Sequence, residues 1–222
     1  MKKYAVIVAG GNGSRMNSAV PKQFLLLHGK PVLYYSVQAF IDAYNDVEII
    51  LVLPENFLQQ GKELVQKYFS AISIQMVAGG NTRFHSVQNG LKKVEEESIV
   101  FVHDAVRCLV TPALIKRCHN TALEKGSAIP ACNATDSLRM ITNDGSRLLN
   151  RDIVKIIQTP QTFLSSIILP AYTIEYNASF TDEATVVEAA GKIIELTDGE
   201  LTNLKITTPV DLVTAAAILQ ER

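Results

Sequence analysis

The chain has 222 residues, 47% of them apolar and 19% charged. That length suits one large domain or two small ones, and the composition excludes disordered, collagen-like and low-complexity chains. Lys plus Arg number 21 against 22 Asp plus Glu, a net charge of −1, so there is no basic excess to hold duplex DNA by counterion release and no nucleic-acid partner is expected.

Tyr4–Val8 is a continuous apolar run, as in a strand buried on both faces. Pro31 at a first-turn position opens a helix over Val32–Tyr44, with Leu33, Val37, Phe40 and Ile41 on one face. Val47–Leu53 reads as a strand, Phe57–Phe69 as a helix, Ile72–Val77 as a shorter strand and Phe84–Val94 as a helix. Ser98–His103 is a strand, Pro112–Glu124 a helix and Ser127–Ala131 a short strand. This alternation implies an α/β, Rossmann-like fold, a mostly parallel sheet with helices on both faces.

The rhythm breaks after Ala131. Ser137–Thr142 and Arg147–Arg151 flank the turn residues Asn143–Ser146, and Asp144-Gly145 is a hairpin signal. An isolated hairpin is marginal in water. This protruding arm, about residues 133–155, therefore folds onto its own domain or reaches a partner subunit. Helices near Phe163–Tyr172 and Asp182–Ala190, strands near Lys192–Leu196 and at Leu204–Ile206, and a helix over Val210–Gln220 capped by Thr208 complete the chain. No repeat and no linker is visible, so one domain spanning residues 1–222 is expected. Cys108, Cys118 and Cys132 have no C-x-x-C spacing, which argues against a disulfide framework or a zinc knuckle. The first apolar run stops at Gly10-Gly11 and Arg15, too early for a signal sequence, and no run spans a membrane. A reducing, cytoplasmic setting is expected.

The first strand leads into Ala9-Gly10-Gly11-Asn12-Gly13-Ser14-Arg15-Met16. A glycine-rich turn there lets backbone N–H groups approach phosphate oxygens. The Walker pattern fails, because Ser14-Arg15 stands where Gly-Lys-Ser/Thr is needed; the dinucleotide fingerprint fails at Met16. Arg15 and Lys22, in Pro21-Lys22-Gln23, supply two cations beside one loop, which suits a dense anion such as a nucleoside triphosphate. Asp104, after a buried strand, belongs to the carboxyl edge of the sheet, where ligands of open α/β folds bind. Thr181 reads as the N-cap of the helix it precedes, Lys205 as a short-strand residue that could face solvent, and Arg151 as a charge at the base of the arm. His103-Asp104 does not extend to a metal-phosphohydrolase set, because His28, His85 and His119 lack ligand spacing.

The segment Ala9–Met16 with Pro21-Lys22-Gln23 resembles the signature of nucleotidyltransferases of the nucleotide-diphospho-sugar type, and within them the cytidylyltransferases acting on polyol phosphates. Further motifs follow in the same order: Gly79-Gly80-Asn81-Thr82-Arg83 with Ser86, His103-Asp104-Ala105-Val106-Arg107, Asp136-Ser137, Arg151 with Thr159-Pro160-Gln161, Thr181-Asp182-Glu183-Ala184, and Asn203–Thr207. The branch acting on methylerythritol phosphate is the nearest in pattern. Cys108 replaces a usual Pro and Ser137 a usual Thr, which leaves the path of the loop after Arg107 open.

The resemblance implies attack of a phosphomonoester on the α-phosphorus of CTP with loss of pyrophosphate, and Mg2+ bridging the CTP phosphates with few protein ligands. It implies Arg15, Lys22, Arg151 and Lys205 as catalytic cations. Asp104, Arg107, Ser137 and Thr181 would line the polyol phosphate, and Ala9, Gly10, Gly11, Gly13, Gly80, Asn81, Arg83 and Ser86 the nucleotide. It also implies a homodimer in which the arms interlock, so that Ser137 and Arg151 serve the neighbour's site. The alternatives are a ribitol 5-phosphate cytidylyltransferase, a non-catalytic nucleotide-binding regulator and, against Met16, a dinucleotide oxidoreductase.

Overall fold

The computed structural model describes residues 1–10 and 20–222; Gly11, Gly13 and Arg15 lie outside the described residues. In chain order the first half contains β1 (Lys2–Val8), β2 (Leu26–Leu27), β3 (Lys30–Pro31), α1 (Val32–Ala43), β4 (Val47–Leu53), α2 (Leu58–Tyr68), β5 (Ile74–Ala78), α3 (Arg83–Leu91) and β6 (Ser98–Asp104). The second half contains α4 (Pro112–Lys125), β7 (Ser127–Asn133), β8 (Leu138–Thr142), β9 (Gly145–Leu149), β10 (Lys155–Ile157), β11 (Gln161–Leu164), α5 (Ser165–Ala171), α6 (Glu183–Ala189), β12 (Leu196–Asp198) and α7 (Pro209–Gln220).

The period-2 alternation of the buried strands sorts the helices onto two faces. Ala5, Ile7, Ile49, Leu51, Ile99 and Phe101 meet α1 and α4 through Leu33, Phe40, Leu114 and Cys118. Tyr4, Val6, Ile50, Val52, Val100 and Val102 meet α3, α5 and α6 through Phe84, Val87, Ile168 and Val187. A smaller cluster under α7 joins Leu27, Val32, Val106, Cys108, Ile206 and Ala215. Cys108 therefore points into the core, where burial pushes its thiol up to about 12, and the loop after Arg107 stays tight: Val110 N donates to Arg107 O at 3.2 Å.

The large sheet runs β10-β7-β11-β6-β1-β4-β5, with β12 also on β7. β1 pairs in parallel with β4 and β6, β4 with β5, and β12 with β7. The sheet is nonetheless mixed. β11 runs antiparallel to both β6 and β7, and β10 antiparallel to β7. The helix expected from Phe163 starts at Ser165, because Phe163 is a fully buried strand residue and Leu164 pairs with Ile99. The strand expected over Lys192–Leu196 is displaced to Leu196–Asp198, and Ile193 is exposed. Leu204–Ile206 forms no strand; Ile206 N donates to Val106 O at 3.0 Å. The arm is present as β8 and β9, which among the described residues pair only with each other, from Leu138↔Leu149 to Thr142↔Gly145.

Two registers position the site. Val8 pairs with Asp104, and Leu53 with Ala78. The loop after β1, the end of β6 and the Gly79-Gly80 turn thus leave the sheet at one edge, the carboxyl ends of its parallel strands.

Candidate active site

A cleft of about 280 Å3 opens at that edge, lined by Ala9, Gly10, Lys22, Gly80, Asn81, Arg83, Asp104 and Lys205 among others. A second recess of about 190 Å3 adjoins it, lined by Arg107, Thr181, Gln158 and Asp182 and sharing Arg83, Asp104 and Lys205. One carboxylate and two cations form the common wall.

The floor of the cleft is built by backbone. Gln23, which the sequence motif contains without a role, is buried and donates from Nε2 to Ala9 O at 2.9 Å, fixing the exit of β1. Gly80 N donates to Ser86 Oγ at 3.1 Å, and Ser86 Oγ donates to Thr82 O at 2.9 Å. A Cβ on Gly80 would lie 2.4 Å from His85 Cβ, so glycine is required there. Ser86 is buried behind this turn and braces Gly80 and Thr82. Thr82 caps α3, accepting from His85 N at 3.3 Å.

Lys22 is buried, and its Nζ donates to Ile206 O at 3.0 Å. That bond links residues 184 positions apart and sets Lys22 beside the segment carrying Lys205. Lys205 Nζ lies 2.9 Å from Asp104 Oδ2, and Arg107 Nε 3.7 Å from the same oxygen. Asp104 Oδ1 accepts from Arg83 Nε at 3.3 Å and Nη2 at 3.2 Å. Burial would raise the Asp104 carboxyl, but Arg83, Lys205 and Arg107 together hold it far below the usual carboxylate range. Arg107 is anchored by carbonyls, donating to Asn203 O at 2.8 Å and Ile157 O at 3.2 Å. Arg83 also donates to both oxygens of Glu183, a fully buried residue.

His103 fixes the backbone of Asp104. A carbonyl only accepts, so His103 Nε2 carries the proton and donates to Arg107 O at 3.2 Å. His103 Nδ1 then accepts from the Thr159 hydroxyl at 3.0 Å, whose oxygen accepts from Asp104 N at 3.0 Å. Burial pushes the imidazole from 6.5 down to about 3. Because the folded value is depressed, the unfolded chain binds the extra proton first. This group's stabilisation is complete above about pH 6.5 and is lost as pH falls toward about 3. The denaturant midpoint should fall through that window, by up to about 1.4 kcal/mol of stability per pH unit, and His103→Gln should flatten the slope. An equal slope in both proteins would remove His103 as its cause.

Thr181 is exposed and lines the second recess, but the cap of α6 is Asp182, whose carboxylate accepts from Thr185 N at 3.0 Å. Ser137 and Arg151 line neither recess of their own chain; both are exposed, and Arg151 Nη1 donates to Thr135 O at 2.8 Å. The sequence motifs also contain Glu183 and Thr159 without giving either a role. For Glu183 the available signal was an acid set among Ala184, Val186 and Val187, all of them buried. Among the described residues, no three His, Cys, Asp or Glu side chains are grouped as a metal cage.

Comparison with known proteins places the chain as a whole. The family model for 2-C-methyl-D-erythritol 4-phosphate cytidylyltransferase matches residues 4–221. A protein of that name from Azobacteroides pseudotrichonymphae is 46% identical, over 98% of this chain and 99% of the relative. Another from Bacteroides thetaiotaomicron is 42% identical, over 99% of this chain and 100% of the relative. The crystal structure of 4-diphosphocytidyl-2C-methyl-D-erythritol synthase from Anaerococcus prevotii superposes with a TM-score of 0.83 at 29% identity, covering 99% of this chain and 98% of its own. That of the cytidylyltransferase from Thermus thermophilus gives 0.79 at 28% identity, with 99% and 100% covered. Motif order, sheet topology and whole-length identity agree, and the chain belongs to the 2-C-methyl-D-erythritol 4-phosphate cytidylyltransferase family.

Proposed function

We infer that this chain transfers a cytidylyl group from CTP to 2-C-methyl-D-erythritol 4-phosphate, giving 4-diphosphocytidyl-2-C-methyl-D-erythritol and pyrophosphate, a step of isoprenoid biosynthesis. The observation that carries the reading is the wall common to two adjoining recesses, where Lys205 and Arg83 flank Asp104, with Lys22 on the first recess. One recess suits a triphosphate and the other a polyol phosphate. A phosphomonoester has a second pKa of about 6 and arrives mostly dianionic, so no general base is required. Its oxygen bonds to the α-phosphorus as the bond to the β-phosphate oxygen breaks. The obstacle is charge: one anion approaches another while charge builds on the α-phosphate. Lys22, with Arg15, offsets that charge. Lys205, with Arg151, orients the acceptor phosphate; Asp104, Arg107, Thr181 and Ser137 surround the polyol. Ala9, Gly10, Gly11, Gly13, Gly80 and Asn81 cradle the nucleotide, Ser86 braces their turn, and Arg83 forms its side wall.

The metal we propose is Mg2+, carried on the triphosphate. Asp104 is the only carboxylate among the described residues lining the first cleft, and both its oxygens already face cations, so the donor set fits an ion held mainly by substrate oxygens. Bound there, it would neutralise phosphate charge near Asp104.

We further propose one domain over residues 1–222 and a homodimer joined through the arm, residues 133–155. Met140, Ile141, Leu148, Ile153 and Ile156 are exposed on or beside it, an apolar set that water leaves unfavourable. Arg151 and Ser137 then reach the neighbour's recess. No helix among the described residues is long and apolar enough to cross a membrane. Three free cysteines and the use of CTP support a cytoplasmic location.

Pyrophosphate release from CTP is the test of function, with methylerythritol phosphate, ribitol 5-phosphate or no acceptor. Release with the first acceptor is expected. Faster release with ribitol 5-phosphate would move the substrate, and none with either would make the protein a regulator. The shared site has its own check. Mixed Lys22→Ala and Arg151→Ala subunits should recover activity, about a quarter of the wild-type level if exchange is random and one composite site is intact in half of the dimers. Hybrids as inactive as both parents would remove the shared site.

A further inference from the structure

Behind the common wall runs a chain of alternating charges that reaches well into the protein: Glu183, Arg83, Asp104, Lys205. Glu183 begins α6, where an acid ordinarily sits in solvent and complements the helix dipole. Here it is turned inward and has no exposed surface. Its neighbours at hydrogen-bond distance are donors: Arg83 Nη1 and Nη2 on its two oxygens, and the Tyr172 hydroxyl on Oε1 at 3.3 Å. That set suits an ionised carboxylate that would be costly to bury without them. Tyr172 is itself fixed, its ring stacked on Phe84 with centroids 4.9 Å apart.

The consequence is a division of Asp104. With Nη1 and Nη2 bound to Glu183, the guanidinium presents only its Nε–Nη2 edge, and both atoms meet Asp104 Oδ1. Oδ2 is left to Lys205 at 2.9 Å, with Arg107 Nε at 3.7 Å. A guanidinium not clamped at its other edge would turn to take both carboxylate oxygens, the fork geometry it prefers. It would then compete with Lys205, whose flexible stem has no comparable anchor among the described residues and whose side chain is 37% exposed.

We propose that Glu183 is a positioning residue for the acceptor phosphate, acting through Arg83 and Asp104 to reserve one carboxylate oxygen for Lys205. This rests on the reading of Lys205 as the acceptor-phosphate cation. The probe is turnover with CTP saturating and methylerythritol phosphate varied, then the reverse, for wild type, Glu183→Gln, Glu183→Asp, Lys205→Ala and the Glu183→Gln/Lys205→Ala double variant. Glu183→Gln is expected to lower kcat/KM for the acceptor on the order of 10- to 100-fold, as a displaced orienting group does, and to raise the KM for CTP by a clearly smaller factor, because Arg83 is one of several residues walling the nucleotide cleft. Glu183→Asp, which keeps the charge, should recover part of the loss. In the double variant the loss beyond Lys205→Ala alone should be under about threefold, because the route through Lys205 is already gone.

A matching rise in the KM for CTP, or losses that multiply in the double variant, would overturn the proposal. Should Glu183→Gln fail to fold, Tyr172→Phe removes only the hydroxyl donated to Glu183. It should raise the acceptor KM at an unchanged melting temperature, and an unchanged KM would overturn the proposal. If Glu183→Gln turns over like wild type while Lys205→Ala does not, the charge chain is refuted and the function stands. If wild type releases no pyrophosphate with this acceptor, the function fails and this inference with it.

Discussion

Lys22→Ala is expected to lower kcat on the order of 100- to 1,000-fold, the usual cost of losing one preorganised group that faces developing charge. The geometry makes the effect large. Lys22 is buried at 9% exposure, so its charge acts in a medium that screens it poorly. Its Nζ is held by Ile206 O at 3.0 Å on the segment that carries Lys205. Little reorganisation is then needed when the α-phosphate gains charge. The loss should appear mainly in kcat, with a smaller change in the KM for the acceptor. Lys22→Arg should rescue only partly, because a planar guanidinium cannot occupy the space of a compact ammonium. Steady-state kinetics with CTP and the acceptor varied in turn check this. A loss confined to the KM for CTP would make Lys22 a binding residue without a part in the chemical step.

Asp104→Asn is expected to abolish turnover and also to destabilise the fold. Asp104 is nearly buried and faces Arg83, Lys205 and Arg107. The amide would leave three cations around a neutral group, with Glu183 alone among the described residues to offset Arg83. Removing one partner of a buried pair costs about 3–5 kcal/mol; with Lys205 more than one-third exposed and screened, the lower end, about 3 kcal/mol, is expected. The sign with pH follows from the depressed carboxyl. The stabilisation is present above the ordinary value of 3.8 and is lost as pH falls below it. The variant should therefore lack that acid limb. Urea unfolding at pH 7 and pH 3 checks both, and an unchanged midpoint at pH 7 would mean that these ion pairs contribute nothing to folding.

Much of the architecture was legible because the strands are apolar on both faces and the helices are bounded by strong signals. Thr111, Pro112 and Gly126 delimit α4, with Thr111 Oγ1 accepting from Leu114 N at 3.0 Å and Gly126 at φ 91°. The antiparallel strands of the large sheet were not legible. β11 contains Gln161 and Thr162, polar residues buried because their neighbours pair with them rather than because of any period. β10 is three residues long. In the site, Lys22, Asp104 and Lys205 could be named singly, but their meeting depends on one hydrogen bond across 184 positions and on the Val8↔Asp104 register. Ser86 shows what the structure adds: its hydroxyl accepts from Gly80 N and donates to Thr82 O, bracing the turn that motif position assigns to the nucleotide. Glu183 reads as an ordinary first-turn acid until its burial is known.

The central claim is that cations converging beside the opening turn neutralise a triphosphate while a phosphate oxygen of the second substrate displaces pyrophosphate. A crystal structure with CTP bound tests it most directly. The account predicts the triphosphate in the cleft between Gly10, Gly80 and Lys22, with Lys22 Nζ within hydrogen-bond distance of phosphate oxygens and Arg15 on the same group. A triphosphate bound elsewhere, with both side chains directed to solvent, would contradict it.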